Sequence, residues 1–110
     1  MAVVVGGIIL GFACGGRKEY SSGEAAYQGE CLQCHKIEGK GGSKGPEVTD
    51  ILIKHNENYV RQYTKDPRSI KPDSTMPPSD LNDRELDLLI EYLKSTASRT
   101  QSSNQNTQKP

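Results

Sequence analysis

The sequence predicts an all-α chain. Leu86, Leu89, Ile90 and Leu93 recur at the 3.6-residue spacing of a helix with one buried face. Helix start signals stand directly before them, and no convincing stretch alternates apolar and polar residues as a half-buried strand does. A length of 110 residues allows one small domain.

Three helices are expected. Glu24 to Cys34 places Ala26, Tyr27 and Cys31 near one face. Glu57 to Lys65 places Val60 and Tyr63 on a face, with Tyr59 alongside and Pro67 just beyond the end. The third begins after Asn82, a capping residue, with Glu85 three positions on to close a capping box and Leu81 and Leu86 in the staple positions. Gly39 to Gly45 (GKGGSKG) reads as loop.

The two ends differ from this middle. Residues 1–13 (MAVVVGGIILGFA) are apolar and uncharged. As a helix they would span about 20 Å, short of a hydrocarbon core of about 30 Å, and so suit the apolar part of a secretory signal better than a membrane span. No Lys or Arg precedes Arg17, although secretory signals usually open with positive charge. Leu10-Gly11-Phe12-Ala13-Cys14 resembles a bacterial lipoprotein processing site, which would make Cys14 a lipid anchor; Gly11 and Phe12 depart from that pattern. The competing reading is a cysteine buried in an intact anchoring helix, and both readings bring the amino end to a membrane. Residues 14–22 read as a flexible tether, 23–95 as the folded domain and 96–110 as a disordered polar tail.

Composition limits the function classes. The formal net charge is +0, so no basic excess points to nucleic acid. Charge is uneven: Lys36 to Lys71 carries eight basic and five acidic residues, and Asp73 to Lys94 two basic and six acidic. That either divides the surface into two faces of opposite sign or is ordinary solvated surface. Gly23 to Ser95 holds fourteen Val, Ile or Leu and no Phe or Trp, a thin core for a small domain. Such domains are commonly stapled by a metal, a disulfide or an apolar cofactor.

The candidate staple is Cys31-Leu32-Gln33-Cys34-His35. A structural zinc site needs four ligands, but no second C-x-x-C follows and the remaining histidine, His55, lies twenty residues past His35. A thioredoxin-type redox pair belongs beside a βαβ pattern, and no strand precedes Cys31. C-x-x-C-H is the attachment motif of haem c: one helical turn presents two thiols to two vinyl groups, and the next residue offers an imidazole to iron. Cys31 and Cys34 would form thioethers and His35 would be the proximal ligand. A sulfur ligand on the other side falls to Met76, since Met1 is in the leader. Met76 lies in the stiff loop Ser74-Thr75-Met76-Pro77-Pro78, where a residue packed on the core is the alternative role. His55 is the rival for that ligand position, but its polar neighbours Lys54, Asn56 and Glu57 favour a surface role.

From these motifs the chain resembles the class I c-type cytochromes, small monohaem proteins with His/Met ligation, over residues 23–94. In that family a glycine and an aromatic stand eight and four residues before the motif, matched by Gly23 and Tyr27, and the first helix crosses the last near residues matching Leu89 and Tyr92. A Gly-Pro after the motif matches Gly45-Pro46, and the resemblance implies that the Pro46 carbonyl accepts the His35 ring N–H. Pro67 and Met76 match the family's proline nine residues before the ligand methionine. Tyr63 matches an aromatic that approaches the methionine sulfur, with a packed core ring as its other role. Ser74 matches a hydroxyl that bonds a haem propionate. The implied fold is three main helices and loops wrapped around one covalent haem. The chain is shorter than the larger members, which implies a more open haem edge.

With both axial positions filled, the resemblance implies an electron carrier rather than an enzyme, gas carrier or oxygenase. Methionine ligation implies a positive reduction potential. The expected function is a membrane-tethered monohaem cytochrome c that passes single electrons between extracytoplasmic partners, on the periplasmic side of a bacterial cytoplasmic membrane. Its partners would be membrane redox complexes or other electron carriers. The alternatives are a fixed haem c subunit of a respiratory or photosynthetic complex and, behind it, a haem sensor or peroxidase in which Met76 dissociates.

Overall fold

Helices and turns form where the capping chemistry allows them. In the computed structural model, which describes residues 19–108, α1 (Gly23–Glu30) starts where the Ser22 side chain accepts the Ala25 amide at 3.1 Å. The signal or anchor segment 1–13, Cys14 and the first part of the tether lie outside the described residues. α1 is shorter than expected: from Cys31 to Cys34 the chain forms turns instead of helix. A two-residue ladder follows, β1 (Lys36–Ile37) antiparallel to β2 (Lys40–Gly41), with Lys36 opposite Gly41 and Ile37 opposite Lys40. Its turn has positive φ at both Glu38 (52°) and Gly39 (79°), as a tight two-residue hairpin requires. A ladder this short has no room for alternation, so it left no periodic signal in GKGGSKG.

α2 (Ile51–Lys54) and α4 (Pro67–Ile70) are single turns, the second opened by proline at its first position. Between them α3 spans Glu57–Lys65 as expected, capped by the Asn56 side chain, which accepts the Tyr59 amide at 2.8 Å. α5 runs Asp83–Gln108. Its capping box is complete: the Asn82 side chain accepts the Glu85 amide at 2.8 Å, and the Glu85 carboxylate accepts the Asn82 amide at 3.0 Å. Among the described residues no helix is long and apolar enough to cross a membrane.

Two expectations about the domain edges are corrected. The tail from residue 96 is helical to Gln108 and does not begin as disorder. Thr96 and Ala97 are buried and continue the 86, 89/90, 93 stripe, and the Thr96 hydroxyl lies 2.7 Å from the Thr49 carbonyl and 2.9 Å from that of Leu93. A threonine and an alanine carry little hydropathy, which hid the continuation. The last residues of the tether are pinned too. The Tyr20 amide donates to the Glu85 carboxylate at 2.7 Å, and its phenol to Glu30 at 2.9 Å.

The core lies where α1 crosses α5, with Ala26 and Tyr27 of the first packed among Leu86, Leu89, Ile90 and Leu93 of the second. α3 leans on the same helix through Val60 and is laced to it by exposed ion pairs, Arg61–Asp87 at 2.7 Å and Lys65–Asp83 at 2.9 Å. The crossing is close because residue 23 has no side chain. A Cβ there would stand 2.0 Å from the Leu88 carbonyl oxygen and 2.7 Å from the Tyr92 Cβ, while Leu89 packs with Ala26 and Tyr27 in the same core. Gly23→Ala should therefore push the helices apart and destabilise the protein by about 1–3 kcal/mol. Urea unfolding of the cofactor-loaded protein checks this, and an unchanged midpoint would contradict it.

Candidate haem site

The five-residue motif hangs from the end of α1. The Tyr27 carbonyl accepts both the Cys31 amide at 2.8 Å and the Leu32 amide at 3.0 Å, and the Cys31 carbonyl accepts the Cys34 amide at 3.1 Å and the His35 amide at 2.9 Å. The loop after the hairpin folds back to meet it: Gly42 N–H donates to Leu32 at 2.9 Å and Gly45 N–H to Cys34 at 2.7 Å. The thiols of Cys31 and Cys34 are free and partly exposed. Burial, then the Glu30 carboxylate, then Cys34 push the Cys31 thiol up to about 12.

His35 is partly exposed, and its Nδ1 stands 2.7 Å from the Pro46 carbonyl oxygen. A carbonyl only accepts, so Nδ1 carries a proton, and in the neutral form of the ring the lone pair is on Nε2. The bond thus orients the ring and keeps Nδ1 as its donor side, the arrangement by which a second partner fixes a metal-ligating histidine. Residue 45 has to be glycine for this approach, since a Cβ there would lie 2.4 Å from the His35 Cε1. On the other side of the peptide, the Tyr27 phenol donates to the His35 carbonyl at 2.9 Å. That bond was invisible in the sequence, where Tyr27 offered only an aromatic four positions before the motif.

The second group lies between α4 and α5. Met76 is partly buried, and its amide donates to the Ser74 hydroxyl at 3.2 Å. The Tyr63 phenol, expected either at the Met76 sulfur or packed as a core ring, donates to the Ser74 hydroxyl at 3.0 Å. Ser74, expected to face a propionate, is buried and holds both partners. His55 is exposed and stacks on Tyr59 with ring centroids 3.8 Å apart.

The donor set fits a covalently held haem better than a bare ion. Among the described residues no three His, Cys, Asp or Glu side chains are placed to share one metal ion, although Cys31, Cys34 and His35 are near neighbours in sequence. Two free thiols, an imidazole oriented through its Nδ1 and a thioether are the groups that haem c uses.

The family model for cytochrome c matches residues 20–97. Cytochrome c oxidase subunit 2 of Alkalihalophilus pseudofirmus is 27% identical over 77 residues, covering 62% of this chain and 22% of that protein. The chain therefore spans about a fifth of that relative's length. No solved structure matches. The match begins at Tyr20 and ends at Ala97, so it takes in the Tyr20–Glu85 bond and the buried Thr96 and Ala97.

Burial first, then the charges of Cys31, Tyr92 and Glu47, push the Tyr27 phenol from 10.0 to about 12. The unfolded chain releases that proton near 10.0 while the folded chain keeps it to about 12, so this share of stability is full below 10.0 and lost as pH rises through that window. Tyr27→Phe should flatten the alkaline fall in the urea midpoint of the loaded protein, where burial, the first of these causes, still acts although the Cys31 sulfur is then an uncharged thioether. An identical fall in the variant would remove Tyr27 as its cause.

Proposed function

The chain belongs to the cytochrome c family, and from that premise we propose that it is a membrane-tethered monohaem carrier that passes single electrons between redox partners outside the cytoplasm. Membership implies a covalently bound haem c and a role in electron transfer. The observation that supports the haem-bound part of this reading is the His35–Pro46 bond, which leaves the other ring nitrogen for iron.

Cys31 and Cys34 would hold the group by two thioethers, and His35 and Met76 would supply its iron ligands. When bound, the haem supplies a one-electron Fe(III)/Fe(II) couple. The chain's own part is to keep the ligands still while the charge changes, so that little reorganisation accompanies each transfer. Pro46 fixes the imidazole, and the loop bonds around Ser74 fix the thioether's backbone. With His35 and Met76 both engaged, the iron would have no place for a substrate. A lipid on Cys14, or a retained leader, would confine the domain near membrane redox complexes and raise its effective concentration there.

The similarity to an oxidase subunit favours a second reading, a fixed haem subunit of a larger complex. Purification in mild detergent separates the two: stable, stoichiometric partners favour the subunit, and a chain that purifies alone favours the shuttle.

Met76→Ala tests the ligand assignment. The reduced wild-type protein should bind no carbon monoxide at neutral pH, and the oxidised protein should show the sulfur–iron charge-transfer band. The variant should gain the first property and lose the second. Carbon monoxide binding by the wild type would instead support a sensor or peroxidase in which Met76 dissociates.

A further inference from the structure

Ser74 is the most heavily bonded residue of the loop that carries Met76. Its amide donates to the Lys71 carbonyl at 2.9 Å, and its own carbonyl lies 3.4 Å from the Arg68 Nε. Its hydroxyl oxygen accepts two hydrogen bonds, one from the Tyr63 phenol at 3.0 Å and one from the Met76 amide at 3.2 Å. A serine oxygen has two acceptor lone pairs, so both are taken. A phenol has one proton, so Tyr63 has none left for the Met76 sulfur while this bond stands.

The two residues belong to segments of different rigidity. Tyr63 is on α3, which is capped at its start and ion-paired to α5. Residues 74–82 have no regular structure. Beyond Met76 the Ser79 amide donates to the Thr64 carbonyl at 2.9 Å. Adjacent residues of α3, Tyr63 and Thr64, thus grip the loop on either side of Met76, and on the near side the grip passes through one buried hydroxyl.

We propose that Ser74 is a positioning residue for Met76: its hydroxyl joins the Tyr63 phenol to the Met76 amide and holds the loop shut, so that Tyr63 acts on the ligand through Ser74 and not through the sulfur. This rests on Met76 being the sixth ligand. Opening of the loop then requires breaking the Tyr63–Ser74 bond, and the strength of that bond sets the fraction of molecules in which the sulfur has left the iron. Any external ligand must wait for that fraction, so its apparent affinity reports it.

The experiment is a double-mutant cycle on the oxidised, haem-loaded protein, with imidazole as the competing ligand and loss of the sulfur–iron band as a second readout. Tyr63→Phe and Ser74→Ala should each tighten imidazole binding about five- to tenfold, the worth of one hydrogen bond made only in the closed loop. Tyr63→Phe should add nothing in the Ser74→Ala background. Ser74→Thr, which keeps the hydroxyl, should stay near the wild type. The proposal is overturned if Tyr63→Phe has the same effect in both backgrounds, as a direct bond to sulfur requires, or if Ser74→Ala leaves the affinity unchanged. Wild type and Met76→Ala binding imidazole equally well would mean that Met76 is not the ligand, and the clamp would fall with that assignment.

Discussion

The hydrogen bond between the His35 ring and the Pro46 carbonyl decides which face the imidazole offers, and much of the molecule serves to hold its two ends together. One end is carried by α1, whose last carbonyls suspend the motif turn. The other is carried by the loop before α2, an irregular segment that could not hold a position by itself. It is fastened at several points: Gly45 to Cys34, Val48 to Lys36, and the Thr49 hydroxyl to the Glu38 amide at 2.7 Å. The Thr49 carbonyl is then taken by Thr96 of α5. Since α5 also receives α1 at Gly23, one helix fixes both halves of the bond.

This arrangement explains how a thin apolar core suffices. The buried side chains cluster at the α1–α5 crossing, while the cofactor loops are held largely by backbone bonds and a few hydroxyls. Such bonds are individually modest, about 1 kcal/mol each, but leaving a buried partner unpaired costs more. Among the described residues no buried side-chain nitrogen or oxygen lacks a partner. Polar closure of this kind gives the loops a defined shape without demanding more leucine than the chain has.

The motif is the most legible part of the sequence because its spacing is set by covalent chemistry: two sulfurs and an imidazole in five residues admit few uses. Asn82 and Glu85 were legible for a similar reason, since a capping box needs those side chains at that distance. What stayed hidden depended on partners distant in sequence. Thr96 looked like the first residue of a polar tail until Thr49 stood 47 positions away with its carbonyl free to receive it. Tyr20 looked like tether because Glu85 is 65 positions on. Tyr63 and Ser74 were each assigned to the cofactor, and a pairwise bond between them could not be read from either one.

The account stands on one haem joined to Cys31 and Cys34. The most direct measurement is a pyridine haemochrome spectrum combined with intact mass on the matured protein. The account predicts the spectrum of a haem with both vinyl groups saturated and a mass gain of one haem per chain, abolished when both cysteines are replaced by serine. A matured chain with the mass of the bare polypeptide, or one whose haem is extracted by acidified organic solvent, would contradict it.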